Sequence, residues 1–189
     1  MEYRLETPVS REQLAALRAG DRVLLSGTVY TARDAAHKRL MELLDAGKPL
    51  PFPLPGSAIY YVGPTPEPPG RVFGSAGPTT SGRMDAYSPR LPDLGQSIMI
   101  GKGGRSPAVH DAIRRNGAVY FAALGGAGAL MGACVQSSRI LCWEDLGCEA
   151  VRELQVLNLP LTVAIDSLGN DLYESGPAEY LSSLQNSEE

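Results

Sequence analysis

Residues 77–85, GPTTSGRMD, bring Thr79, Thr80, Ser81 and Arg83 together behind a proline and between two glycines. Pro78 fixes one backbone angle, and Gly77 and Gly82 can adopt conformations closed to other residues. A loop of this kind can hold three hydroxyls and a guanidinium facing outward together. Arginine binds a carboxylate or phosphate through two parallel hydrogen bonds, so the chemistry on offer is anion capture. The bland alternative is a Ser/Thr-rich turn whose hydroxyls cap the next helix. A second stretch, GKGG at residues 101–104, has the strand, glycine loop and helix order of an anion site. Backbone N–H groups near the helix start would face the ligand there. Gly103 follows Lys102 where a nucleotide P-loop needs Ser or Thr, and a lysine in such a turn can also be merely solvated.

A third stretch, TARDAAHKR at residues 31–39, sets Arg33 and His37 four apart, with Asp34 and Lys38 spaced likewise. Arg33 falls where a strand gives way to a helix, a common place for ligand groups in α/β sheets. The alternative is a solvated helix face laced with charge. His37 could act as a base, but a lone histidine beside arginine and lysine is more often structural or exposed. His110 receives no role. Three cations (Arg33, Arg83 and Lys102) and a threonine pair make a grip for a small anion with several carboxylates, without a complete catalytic apparatus.

Other chemistries lack their signatures. There is no G-x-S-x-G elbow and no His, Asp and Glu cluster at metal-ligand spacing. Cys134, Cys142 and Cys148 follow C-x7-C-x5-C, without the compact C-x2-C of common zinc and cluster sites. Their odd number and the lack of an apolar stretch in MEYRLETPVSREQL predict reduced, buried thiols in a cytoplasmic protein without a signal peptide. A formal net charge of -4 argues against general nucleic-acid binding. Residues 116–138 contain no charged side chain, yet their glycine and alanine content favours a strand, a turn and a helix over a membrane span.

With 189 residues, 43% of them hydrophobic and 20% charged, the chain suits one globular domain over residues 1–180 and a disordered tail over 181–189. Alternating apolar and β-branched runs predict strands at residues 22–30, 58–62, 71–76, 96–100, 118–123, 138–143 and 161–166. Helical spacing and caps predict helices at 11–18, 32–46 and 107–116, with others after Gly125 and Gly147. Eight of the fifteen prolines fall within residues 49–69, making stiff connections or sheet edges around the strand at 58–62. The expected class is α/β, a mixed sheet with flanking helices. Strands outnumber helices, which suggests a second small sheet layer.

LLSGTVYTARDAAHKRL, GPTTSGRMDAY and IMIGKGG occur in this order, with VAIDSLGNDLY further on. In these motifs the chain resembles the β subunit of two-subunit class I fumarate hydratases and of L-tartrate dehydratase. The resemblance implies a swivelling β/β/α domain that works with an α subunit in an αβ or α2β2 assembly. It implies that the α subunit supplies three cysteines to a four-iron, four-sulfur (4Fe-4S) cluster, one iron of which takes the substrate. It maps the substrate-carboxylate cations onto Arg33, Arg83 and Lys102, and a proton-transferring threonine onto Thr79. Thr79 would need a carboxylate from the α subunit, because a threonine hydroxyl alone is a poor base. The implied reaction is reversible hydration of fumarate to malate. Tartrate relatives tend to carry a bulkier residue at Gly82 and glutamate at Asp85, so this chain leans towards fumarate. A reading of another class is a non-catalytic dicarboxylate-binding or regulatory module.

Overall fold

The computed structural model describes residues 1–185. Seven strands form its sheet: β1 (Glu2–Thr7), β2 (Arg22–Thr31), β3 (Ala58–Tyr60), β4 (Ile98–Gly101), β5 (Val119–Ala122), β6 (Val135–Cys142) and β7 (Val151–Ile165). The helices are α1 (Arg11–Ala16), α2 (Asp34–Asp45), α3 (Arg90–Asp93), α4 (Pro107–Asn116), α5 (Gly128–Ala133) and α6 (Leu172–Gln185). Two 3₁₀ turns occupy Ser81–Met84 and Glu144–Glu149.

β1 to β5 pair in parallel in chain order, while β7 runs antiparallel to β5, β6 and β2. Because β7 bridges β5 and β2, the sheet closes on itself like a barrel. The second small sheet layer expected from the strand count is therefore absent among the described residues: the extra strands complete one sheet. The two-residue period of each strand divides its side chains between two cores. Tyr60, Ile98, Ile100, Val119 and Phe121 face inward with Leu25, Leu154 and Val163. Their neighbours Ile59, Tyr61, Met99 and Tyr120 face outward, under Ala36 and Leu40 of α2 and Val109 and Ile113 of α4.

Local signals fix the helix ends. Ser10 and Gln13 form a reciprocal capping box at α1, which ends at Ala16, two residues short of expectation. Pro107 opens α4, and Gly117 closes it in the left-handed region at φ 64°. Three expectations fail. Residues 71–76 form no strand: Val72 is exposed, and the backbone bonds of Ser75 and Ala76 go to Thr65 and Gly128, outside any strand. No helix follows Gly147, whose φ of 59° and ψ of -118° are not helical. β7 begins at Val151 instead, because VRELQVLNLPLTVAI alternates apolar and polar residues. The predicted tail is helical as far as Gln185, and residues 186–189 lie outside the described residues. No described helix is long and apolar enough to cross a membrane, and residues 116–138 contribute β5 and α5 instead.

Candidate functional site

The ends of the parallel strands β2, β3 and β4 form one edge, and the segments leaving them carry the four singled-out residues. Arg33 follows β2 as the residue before α2, in an extended conformation. Its Nη2 lies 3.2 Å from Glu149 Oε1 and 3.8 Å from Asp34 Oδ2. The other Glu149 oxygen accepts from the Ala35 N–H at 3.1 Å. A carboxylate 114 residues away in sequence thus caps α2 and steadies Arg33 at once. Arg83, in the turn Ser81–Met84, donates from Nε to Asp34 Oδ1 at 2.7 Å. Asp34 therefore joins the two arginines. Asp34 and Lys38 form no ion pair, and Lys38 is exposed.

Backbone hydrogen bonds place the other two residues. The Thr79 N–H donates to Tyr61 O just past β3, at 2.8 Å. Thr80 and Lys102 form a parallel bridge, and the Ser81 N–H donates to Lys102 O at 2.8 Å. The hydroxyl loop and the GKGG loop are thus stitched side by side. The Lys102 side chain is exposed and makes no ion pair among the described residues. A separate groove of about 350 Å³ on β2 and β7, lined by Arg22, Leu24, Pro160 and Thr162, includes none of the four. Arg83 and Lys102 are exposed, whereas Arg33 and Thr79 are half-buried.

A buried polar layer supports this edge. The Arg105 side chain is 0% exposed, and its Nε donates to Asp85 Oδ1 at 2.7 Å. Asp85 Oδ2 accepts from the Ser106 N–H at 2.5 Å, which ties the end of the hydroxyl loop to the start of α4. The Arg105 guanidinium packs over the Tyr61 and Tyr120 rings at 5.3 and 5.0 Å. Burial pulls against its charge, but Tyr61, Asp85 and Tyr120 outweigh this and raise its pKa. Tyr120 OH lies 2.9 Å from Ser81 Oγ and donates to Gly103 O at 2.9 Å. Burial also pushes the Tyr120 phenol above the usual tyrosine range, so it stays protonated as a donor.

Several sequence expectations change here. The Gly103 N–H donates to Tyr173 OH, and the Ser106 N–H is taken by Asp85. Those two donors are therefore not open to an anion. The hydroxyls of Thr80 and Ser106 cap no helix, so the bland capping role is not what the loop performs. His37 is fully buried, and burial lowers its pKa to about 4. Its Nδ1 lies 3.0 Å from Arg33 O, an acceptor, which places the neutral ring's proton on Nδ1. None of the cysteines is as buried as expected: Cys148 is exposed and Cys134 and Cys142 are half-buried, though burial still raises the latter two thiols. Among the described residues no group of His, Cys, Asp and Glu is gathered to hold a metal ion. The residues missed from sequence are Asp34, Glu149, Asp85 and Arg105 in their supporting roles. A usable signal was the Arg-Asp pair at the α2 start; Glu149 left none.

The chain matches the family model described as Fumarase C-terminus over residues 1–176. Fumarate hydratase 2 of Leishmania major is 40% identical over 173 residues, covering 89% of this chain and 30% of that protein. The anaerobic class I fumarate hydratase of Escherichia coli is 39% identical over 164 residues, covering 86% of this chain and 30% of that protein. The putative L(+)-tartrate dehydratase subunit beta of Methanocaldococcus jannaschii is 39% identical over 180 residues, covering 92% of each chain. The chain thus spans 30% of the fumarate hydratases it matches and nearly all of the tartrate dehydratase subunit.

Proposed function

The chain belongs to the Fumarase C-terminus family, and from that premise we propose that it is the β subunit of a class I fumarate hydratase, acting with an α subunit. The observation that carries this reading is the gathering of Arg33, Arg83, Lys102 and Thr79 at the ends of neighbouring parallel strands. The cations would hold the carboxylates of a small dicarboxylate. A guanidinium does so through two parallel donors, while the Lys102 ammonium contributes a compact charge on a flexible stem. Removing a proton beside a carboxylate builds negative charge on it, and fixed cations stabilise that charge. Thr79 would move this proton in concert with a carboxylate of the partner, its own hydroxyl being largely un-ionised at neutral pH.

The side chains described here do not suit a four-iron, four-sulfur cluster. In this reading the α subunit holds it, and no step of this chain's own chemistry runs through it. The swivelling description also belongs here: the chain would be a compact unit that can turn against the α subunit, the site lying between them. A cytoplasmic location belongs to the same reading.

Gly82 and Asp85 favour fumarate. A second reading, a tartrate dehydratase β subunit, is favoured by the match along nearly the whole tartrate dehydratase subunit. Anaerobic co-expression with the α subunit, with fumarate followed by its absorbance, tests the proposal. Hydration of fumarate well ahead of tartrate dehydration is expected. The reverse preference supports the second reading, and a cluster-loaded pair inert towards both sinks the assignment.

A further inference from the structure

We propose that Asp34 is a positioning residue, holding Arg83 side-on so that the outer edge of its guanidinium is left for a ligand carboxylate. This rests on the functional reading above and deepens it. A guanidinium can present either its Nε side or its two Nη groups to a carboxylate. Asp34 Oδ1 accepts from Nε at 2.7 Å, which uses up the side. Nη1 and Nη2 of Arg83 make no hydrogen bond among the described residues, and the side chain is 52% exposed. The end of the fork is therefore directed away from Asp34 and is open to solvent.

Asp34 is itself firmly placed. It opens α2, whose first turn is fastened by Glu149 at the Ala35 N–H and by the His37 N–H to Arg33 O at 2.8 Å. Its Oδ2 is buried without a hydrogen-bond partner, 3.8 Å from Arg33 Nη2. One rigid carboxylate thus sets the attitude of a long, rotamer-rich side chain in a partly exposed turn. It also carries negative charge into an anion site, and the two effects oppose each other. Positioning favours the ligand, whereas charge disfavours it. The sign of the response on removing Asp34 shows which effect dominates.

The test uses the αβ pair, with fumarate and tartrate as probes. Asp34→Ala should raise KM roughly tenfold to a hundredfold, the effect of losing one charge-assisted hydrogen bond. A carboxylate that only dilutes positive charge would give the opposite result, a lower KM. Asp34→Asn keeps an acceptor oxygen and should stay within about threefold of wild type. Asp34→Glu keeps the charge and the helix start but displaces the acceptor by one methylene. It should raise KM by about threefold to tenfold, and it carries the test if the alanine variant does not fold. Arg83→Ala added to Asp34→Ala should cost little more than Arg83→Ala alone, a coupling that a purely structural role would not produce. An active wild-type pair whose Asp34→Ala or Asp34→Glu variant keeps or lowers KM overturns this inference alone. A wild-type pair that turns over neither probe overturns the functional reading, and this inference with it.

Discussion

Replacing Asp85 with alanine takes away the sole carboxylate, among the described residues, paired with a guanidinium that has no access to water. Asp85 accepts from Arg105 Nε at 2.7 Å and from the Ser106 N–H at 2.5 Å, with 13% of its side chain exposed. Without it, Arg105 keeps two tyrosine rings and a 3.5 Å contact from Nη1 to the Met99 sulfur, while Nη2 already lacks a partner. Breaking a buried pair by deleting one member costs about 3–5 kcal/mol, because the surviving charge stays desolvated. That is a large share of the roughly 5–15 kcal/mol that stabilises a domain. At about 2–4 °C per kcal/mol for a chain of this size, Tm should fall by about 6–20 °C. Thermal unfolding followed by circular dichroism at pH 7 measures this directly. Arg105→Met added to Asp85→Ala should recover part of the loss, since no unpaired charge then remains. A loss under about 1 kcal/mol, or costs that simply add in the double variant, would refute the argument.

Other consequences follow from the same geometry. His37 is neutral in the folded chain down to about pH 4, whereas an unfolded histidine takes up its proton near 6.5. Stability is therefore full above pH 6.5 and declines towards pH 4, by up to about 3 kcal/mol from this group. Urea titrations at both ends of that window should show the slope, and His37→Gln should flatten it; an unchanged slope assigns it to other groups. Gly101→Ala places a methyl group onto Ser81 Oγ and against Tyr61, so it should destabilise by about 1–3 kcal/mol and disturb the two stitched loops. Equal urea midpoints for wild type and variant would contradict this. In the reconstituted pair, Arg83→Lys keeps the charge but loses the fork, and turnover should drop at least about a hundredfold. Near wild-type turnover would rule out carboxylate clamping by Arg83.

Much of the scaffold was legible because its signals are local. Pro107 and Gly117 mark α4 at both ends, and the apolar runs at β4 and β5 are too short and too β-branched or aromatic for helices. Residues 71–76 misled because Val72 and Phe73 read as strand formers, whereas Val72 is exposed and the backbone at Ser75 and Ala76 bonds to Thr65 and Gly128, neither of them in a strand. The helix expected after Gly147 failed for the opposite reason: the sheet needs a strand that reaches both β5 and β2, and only a long β7 can supply it. At the candidate site, the cations and the hydroxyl loop showed in their residue types. Their counter-charges did not. Glu149 reaches Arg33 from beyond β6, and the Asp85–Arg105 pair bridges 20 residues, so neither has a period or spacing to betray it.

The stitching of Thr79 to Tyr61 and of Thr80 to Lys102 runs through main-chain atoms, while Ser81 adds a side-chain link through Tyr120 to Gly103. No side chain at Thr79, Thr80 or Lys102 is spent on holding its own loop in place. The platform is consequently indifferent to what is mounted on it. On the function proposed above, exchanging these side chains would change which ligand the edge accepts, with no need to rebuild the frame beneath.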